Sequence, residues 1–196
     1  MTKMSTTRKL VVTAMLIALC VVLPMAFHTI PRAGSILLPM HIPVLLAGLV
    51  CGWKFGLITG AVGPILSTML TGMPPTMAIA SLMSIELAVY GLVTGVMIYF
   101  VRTRSATLDL YVSLVVAMLV GRIIAGFAQY IYFFGGTYVN EVWTANYTMG
   151  LWASSYFVTS LPGLVIQLAF IPSVVMALER ERVIPLRYPI KAEAAA

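Results

Sequence analysis

Residues 77–101 read MAIASLMSIELAVYGLVTGVMIYFV, a run far better suited to lipid than to water. A helix needs about 20 mostly apolar residues to cross the hydrocarbon core of a bilayer. This segment supplies 25, and only one of them, Glu86, is charged. Because a charge at membrane depth is costly, it usually faces a partner or a cavity. The stretch therefore predicts a membrane-spanning helix with a functional or structural carboxylate near its middle.

The composition of the whole chain agrees with this prediction. Of its 196 residues, 61% are hydrophobic and 9% are charged, whereas about 25% are charged in an ordinary soluble domain. Such a balance excludes a soluble globular enzyme, a disordered tail and an ordinary nucleic-acid-binding protein. The two cysteines, Cys20 and Cys51, lie in apolar surroundings without metal-ligand spacing, so we interpret them as small hydrophobic residues.

Five further apolar segments accompany residues 77–101, at 10–27, 40–51, 55–70, 110–134 and 150–178. The last is interrupted by Pro162 and Pro172, and residues 28–39 and 71–75 are predicted to be a loop and a turn. Residues 40–70 fit either two short spans or a re-entrant hairpin. The sequence thus predicts an all-α integral membrane protein with six transmembrane helices in a membrane domain of residues 10–178.

The distribution of basic residues predicts the orientation. Cytoplasmic loops are enriched in Lys and Arg, and with both termini inside (N-in/C-in), ten of the twelve Lys and Arg residues become cytoplasmic. Only Arg32, in an outer loop, and Arg122, within a span, do not. Residues 1–9 then form a cytoplasmic N-terminus and residues 179–196 a basic cytoplasmic tail. The net charge of +6 therefore needs no nucleic acid to explain it.

Small residues recur at intervals of four along several segments. Gly48, Gly52, Gly56 and Gly60 form one series, and Gly91 and Gly95 repeat the spacing. Because lipid provides no hydrophobic drive between helices, small residues at this spacing allow backbones to approach closely. We interpret the glycines as an internal packing seam.

Glu86 and Arg122 are the two clear ionisable residues at membrane depth. They lie nine residues from the start of segment 77–101 and twelve from the end of segment 110–134, so their depths differ by only a few ångströms. The two side chains could meet as an ion pair that locks two helices, or line a ligand cavity. His41, at the outer start of the second segment, is either a structural histidine or a residue of the same cavity.

Aromatic residues are concentrated between residues 130 and 157, where ten occur. An aromatic belt at the membrane interface explains several of them. A belt does not require amides such as Gln129 and Asn146 between the rings, whereas aromatic faces with a few polar groups are typical of a small-molecule pocket.

Motifs for catalysis and for ATP binding are missing from the sequence. It contains no G-x-x-x-x-G-K-[ST] loop and no H-E-x-x-H zinc motif. Its two histidines also make no plausible metal-ligand set. The chain is therefore predicted not to be an enzyme.

Several local patterns occur together in this chain. They are Ala14-x-x-x-Ala18 in the first helix, a Pro-rich first outer loop, residues 38–48 (LPMHIPVLLAG), residues 52–56 (GWKFG) and the turn 72–75 (GMPP). As a set, they resemble the substrate-binding S components of energy-coupling factor (ECF) vitamin transporters. The likeness covers most of residues 10–178.

The resemblance implies a partner set and a transport role. An S component binds a vitamin or its precursor in an outward pocket, and the Ala14 and Ala18 face docks on a transmembrane T component. Two cytosolic ATPases consume the ATP, so the chain itself needs no cofactor. The location implied is the cytoplasmic membrane of a bacterium or archaeon.

By region and chemistry, the resemblance implies eight candidate substrate contacts. They are His41, Glu86, Tyr90, Arg122, Gln129, Asn146, Trp152 and Tyr156. Riboflavin, pantothenate, a pyrimidine or pyridine precursor and a benzimidazole derivative all remain open as cargo, as does a shared or dedicated energising module. Alternative functions are a stand-alone secondary transporter or a non-transport membrane scaffold.

Overall fold

The structure, a computed structural model, describes residues 4–27, 33–103, 105–134, 150, 154–181 and 183–184. The described residues form seven α-helices and one π-helical turn, Ser154–Thr159. The helices are α1 (Thr6–Ala26), α2 (Ala33–Leu37), α3 (His41–Cys51), α4 (Trp53–Thr71), α5 (Met77–Phe100), α6 (Ala106–Phe134) and α7 (Leu161–Arg180).

Four helical stretches are long and apolar enough to cross a membrane. They are Thr6–Ala26, Met77–Phe100, Ala106–Tyr132 and Leu161–Arg180. On α1, large apolar side chains such as Val11 and Met15 are exposed, whereas Leu16 and Cys20 are buried. An apolar exterior of this kind is suited to lipid. The fold is thus that of a helical membrane protein, and the count of six spans remains a prediction.

The chain reverses at Gly52, between α3 and α4. Gly52 has a φ of +97°, a backbone conformation that glycine adopts more readily than other residues. A Cβ on either Gly48 or Gly56 would lie within 2.6 Å of the carbonyl oxygen of Gly91. Both sides of the turn therefore contact the same point of α5. Residues 40–70 are two helices folded back on each other.

The glycine seam lies between α4 and α5. A Cβ on Gly56 would lie 2.5 Å from the Gly91 carbonyl oxygen, and one on Gly60 would collide with the carbonyl group of Leu87. Gly95 lies in the same way against the backbone of Trp53. The two helices thus run antiparallel in backbone contact, and the internal-packing interpretation of these glycines is confirmed.

The structure corrects the predicted segments near three positions. The predicted loop 28–39 contains the short helix α2, although residues 28–32 lie outside the described residues. Pro162 lies in the first turn of α7 instead of interrupting a helix, because its missing N–H is not needed there. Pro172 lies inside α7 without ending it, a tolerance common in membrane helices.

Helix α2 is held against the beginning of α7. A Cβ on Gly163 would lie 2.6 Å from the Ile36 carbonyl oxygen, so the absence of a side chain permits the contact. The Gln167 amide donates a hydrogen bond to the Leu38 carbonyl oxygen at 3.4 Å. These contacts bring residues 33–38 close to the π-helical turn that immediately precedes α7.

Candidate functional site

Helix α5 carries Glu86 and Tyr90 on one buried face. The two residues are four positions apart and therefore neighbours on a helix, and they are 6% and 1% exposed. On α6, a Cβ at Gly121 would lie 2.8 Å from the Tyr90 ring. Glycine at this position gives the ring its space between α5 and α6.

His41, the first residue of α3, contacts the same face of α5. Its ring packs edge-on against Tyr90, with centroids 5.1 Å apart, and its Nε2 lies 3.7 Å from Glu86 Oε1. The side chain is buried, yet neither ring nitrogen has a hydrogen-bond partner among the described residues. Since buried polar groups nearly always have partners, His41 has unused hydrogen-bonding capacity beside a buried carboxylate.

Arg122 connects α6 to Tyr90 and to the chain around α7. Its Nε donates to the Tyr90 hydroxyl at 3.2 Å, one terminal nitrogen donates to Ser160 Oγ at 2.9 Å, and the other donates to the carbonyl oxygen of Tyr156. The guanidinium also lies 5.5 Å from the centroid of the Phe157 ring. Each of its three nitrogens thus donates to a protein oxygen.

Tyr156 lies in the π-helical turn and has two roles in the network. Its hydroxyl donates to Glu86 Oε2 at 3.2 Å and accepts a hydrogen bond from the Gln129 amide. Its carbonyl oxygen accepts from Arg122 and from Ser160 Oγ, the latter at 2.5 Å. A π-helical turn leaves carbonyl groups outside the α-helical pattern, and such turns are frequent at functional sites.

Glu86 and Arg122 do not form the direct ion pair that their depths allowed. Among the described residues, no contact within 4.0 Å joins their charged atoms, and Glu86 instead lies 3.7 Å from His41. Tyr156 links them instead, through its hydroxyl to Glu86 and its carbonyl to Arg122. The similar depths thus brought both residues into one network, with a third residue between them.

The structure brings together six of the eight predicted substrate contacts, namely His41, Glu86, Tyr90, Arg122, Gln129 and Tyr156. Asn146 and Trp152 lie outside the described residues. Ser160, which the sequence did not suggest, is also part of the network. Its one signal in the sequence is its position four residues after Tyr156. Serine occurs at such a spacing at many positions of apolar helices, so the signal is not specific.

Ala14 and Ala18 lie on α1, a helix that contributes none of the side chains of this network. Both are exposed, whereas Thr13 and Leu16 of the same helix are buried. Their face of α1 is therefore available to lipid or to another protein.

Among the described residues, no three His, Cys, Asp or Glu side chains are placed to hold a metal ion.

Long apolar helices around a buried polar network are the arrangement of a multi-pass membrane protein. Residues 8–175 match the family model for the ECF transporter, substrate-specific component, and the chain belongs to that family. The resemblance in the sequence is thereby confirmed. Neither a curated protein nor a solved structure matches the chain.

Proposed function

We propose that the chain is the high-affinity binding subunit of an ECF-type importer for a small vitamin or vitamin precursor. A T component and two cytosolic ATPases complete the transporter in this proposal, and they supply the ATP hydrolysis. Membership of the substrate-specific component family supports it. That membership also favours this reading over a stand-alone secondary transporter or a membrane scaffold.

The observation that carries the proposal is the unused hydrogen-bonding capacity of His41 beside Glu86. Both side chains are buried, at 3% and 6% exposure, and both His41 ring nitrogens lack a hydrogen-bond partner among the described residues. A structural lock satisfies its own polar groups. A ligand that offers a donor to Glu86 and a complementary group to His41 would complete the network.

The hydrogen bonds suggest different roles for the two charged residues. We assign Glu86 and His41 to direct ligand contact, with Tyr90, Gln129 and Tyr156 around them. Arg122 is assigned to positioning, because its three nitrogens already donate to protein oxygens. The ligand expected is a ring with N–H or hydroxyl donors, stacked on aromatic side chains. Asn146 and Trp152 complete the proposed contact set.

The same proposal includes the membrane arrangement of six spans with both termini in the cytoplasm. One end of the bundle gathers Lys9, close to Cys51, with Lys54 and the end of α5. The polar network lies about 15 Å away along α3. Clustered basic residues favour the cytoplasmic side, so the network is proposed to open outward. Ala14 and Ala18 are proposed to dock on the T component.

Mass spectrometry of small molecules extracted from the purified protein tests the proposal. We expect one compound at about one molecule per chain, and its addition to ligand-free protein should raise the melting temperature. A protein that carries no compound, and that no candidate vitamin stabilises, would instead fit a scaffold.

A further inference from the structure

A groove of about 430 Å³ lies at the basic end of the bundle, between the start of α1, the α3–α4 turn and the end of α5. It is separate from the polar network, since α3 extends about 15 Å from one to the other. Side chains that line it include Lys9, Trp53, Lys54, Phe55, Tyr99 and Phe100.

Two ammonium groups flank this groove, and neither has a carboxylate partner among the described residues. Lys9 Nζ lies 5.9 Å from the centroid of the Phe55 ring, and Lys54 Nζ lies 5.4 Å from that of Trp53. Within the described residues, no carboxylate approaches either lysine within 4.0 Å. Helix α4 also begins here without a side-chain cap, and its N-terminus adds partial positive charge. The groove is therefore complementary to an anion.

Four of the ten residues that line the groove are aromatic, and three of these side chains reach the outer surface of the bundle. Tyr99 and Phe100 are 70% and 74% exposed, and Trp53 is 46% exposed. Aromatic side chains at the end of a spanning helix belong to the level of lipid headgroups. A ligand that fits this place has a negative headgroup and an apolar body, which a free inorganic anion lacks.

We propose that the groove binds the phosphodiester headgroup of an anionic phospholipid, with Lys9 and Lys54 beside the phosphate and the rings of Trp53 and Tyr99 along its glycerol and upper acyl region. Lysines near a membrane surface are attracted to anionic lipid. The site is independent of the vitamin site, and binding of either ligand does not require the other.

Native mass spectrometry of the detergent-solubilised full chain tests this assignment, with dioctanoyl-phosphatidylglycerol, dioctanoyl-phosphatidylcholine and inorganic phosphate as separate probes. The Lys9→Gln/Lys54→Gln variant removes both groove charges. The matched control, Arg8→Gln/Arg102→Gln, removes two exposed charges outside the groove lining. Both variants change the net charge equally.

We expect the wild type to prefer phosphatidylglycerol over both other probes. The groove variant should lose roughly 30-fold in affinity for it, whereas the control should retain wild-type affinity. Equal losses in both variants, no preference for the anionic lipid, or equal binding of inorganic phosphate would overturn the proposal. Preferential binding of an octaglutamate peptide would do the same, because it indicates a protein partner.

If the double variant fails to fold, the exposed Lys54 permits a simpler comparison. Lys54→Gln should weaken phosphatidylglycerol binding by roughly fivefold, and Arg102→Gln should leave it unchanged. Unchanged binding in Lys54→Gln would contradict the site.

Discussion

The Tyr156 hydroxyl donates a hydrogen bond to Glu86 Oε2 at 3.2 Å, and so connects the turn before α7 to the middle of α5. The carbonyl oxygen of the same tyrosine accepts from Arg122. One residue thus holds both buried charges of the network in place. Even a small change to the Tyr156 side chain should therefore alter the proposed ligand site, because it affects contacts with Glu86 and Arg122.

Tyr156→Phe should weaken binding of the co-purifying ligand while preserving the fold. The ring remains, but Glu86 loses a donor and Gln129 loses an acceptor, at a cost of about 1–3 kcal/mol. Isothermal titration of ligand-free protein measures the change. Tyr111→Phe on α6, where the side chain is 39% exposed, is the control and should bind as the wild type does.

Arg122→Met should destabilise the protein, because the oxygens of Tyr90, Tyr156 and Ser160 lose the donor that Arg122 provides. Each buried oxygen left unpaired costs about 1–3 kcal/mol. Arg122→Lys should fall between Met and the wild type, since an ammonium cannot reproduce the planar fork. Melting temperatures in detergent give the order. The exposed Arg102, changed to Met, is the control. If Arg122→Met melted with the wild type, the positioning role would be wrong.

Gly91→Ala should lower the melting temperature by several degrees. The new Cβ would meet the backbone of Gly56 on α4, and overpacking of this kind costs typically about 1–3 kcal/mol. Gly34→Ala is a suitable control because no atom lies within 4 Å of the added Cβ. Equal stability of the two variants would show that α4 and α5 are not in backbone contact.

Ala14→Trp should abolish uptake in cells and leave ligand binding by the purified chain intact. The proposed reason is that a bulky side chain blocks docking of the T component on the exposed face of α1. Val165→Trp adds similar bulk at a position on α7 that is 64% exposed, and should permit uptake. Normal uptake by Ala14→Trp would remove Ala14 from the docking face.

Helix α5 shows how far the sequence predicts this fold. Its predicted range, 77–101, differs by one residue from the observed Met77–Phe100, because a long apolar run in lipid leaves the backbone few alternatives to a helix. The five-residue helix α2 gives no such signal. It lies against α7 through contacts between residues more than 120 positions apart in the chain, which a local sequence pattern does not reveal.

The candidate site was likewise predictable only in part from the sequence. Glu86 and Arg122 were predictable because charge is rare at membrane depth. The bridge that Tyr156 forms between them was not predictable, since it uses the backbone carbonyl of a residue in a π-helical turn. Side-chain type and spacing contain no information about a carbonyl group released by an irregular turn.

The affinity of the Glu86→Gln variant for the co-purifying ligand tests the central claim most directly. Gln has nearly the same shape but no charge, and hydrogen bonds to a charged group contribute about 1.5–3 kcal/mol. The account predicts a loss of roughly 10- to 100-fold with the fold preserved. Asp109→Asn is the control. Asp109 is a buried acid that lies outside the network and accepts hydrogen bonds from Thr103, so this variant should bind the ligand as the wild type does. Wild-type affinity in folded Glu86→Gln would contradict the account.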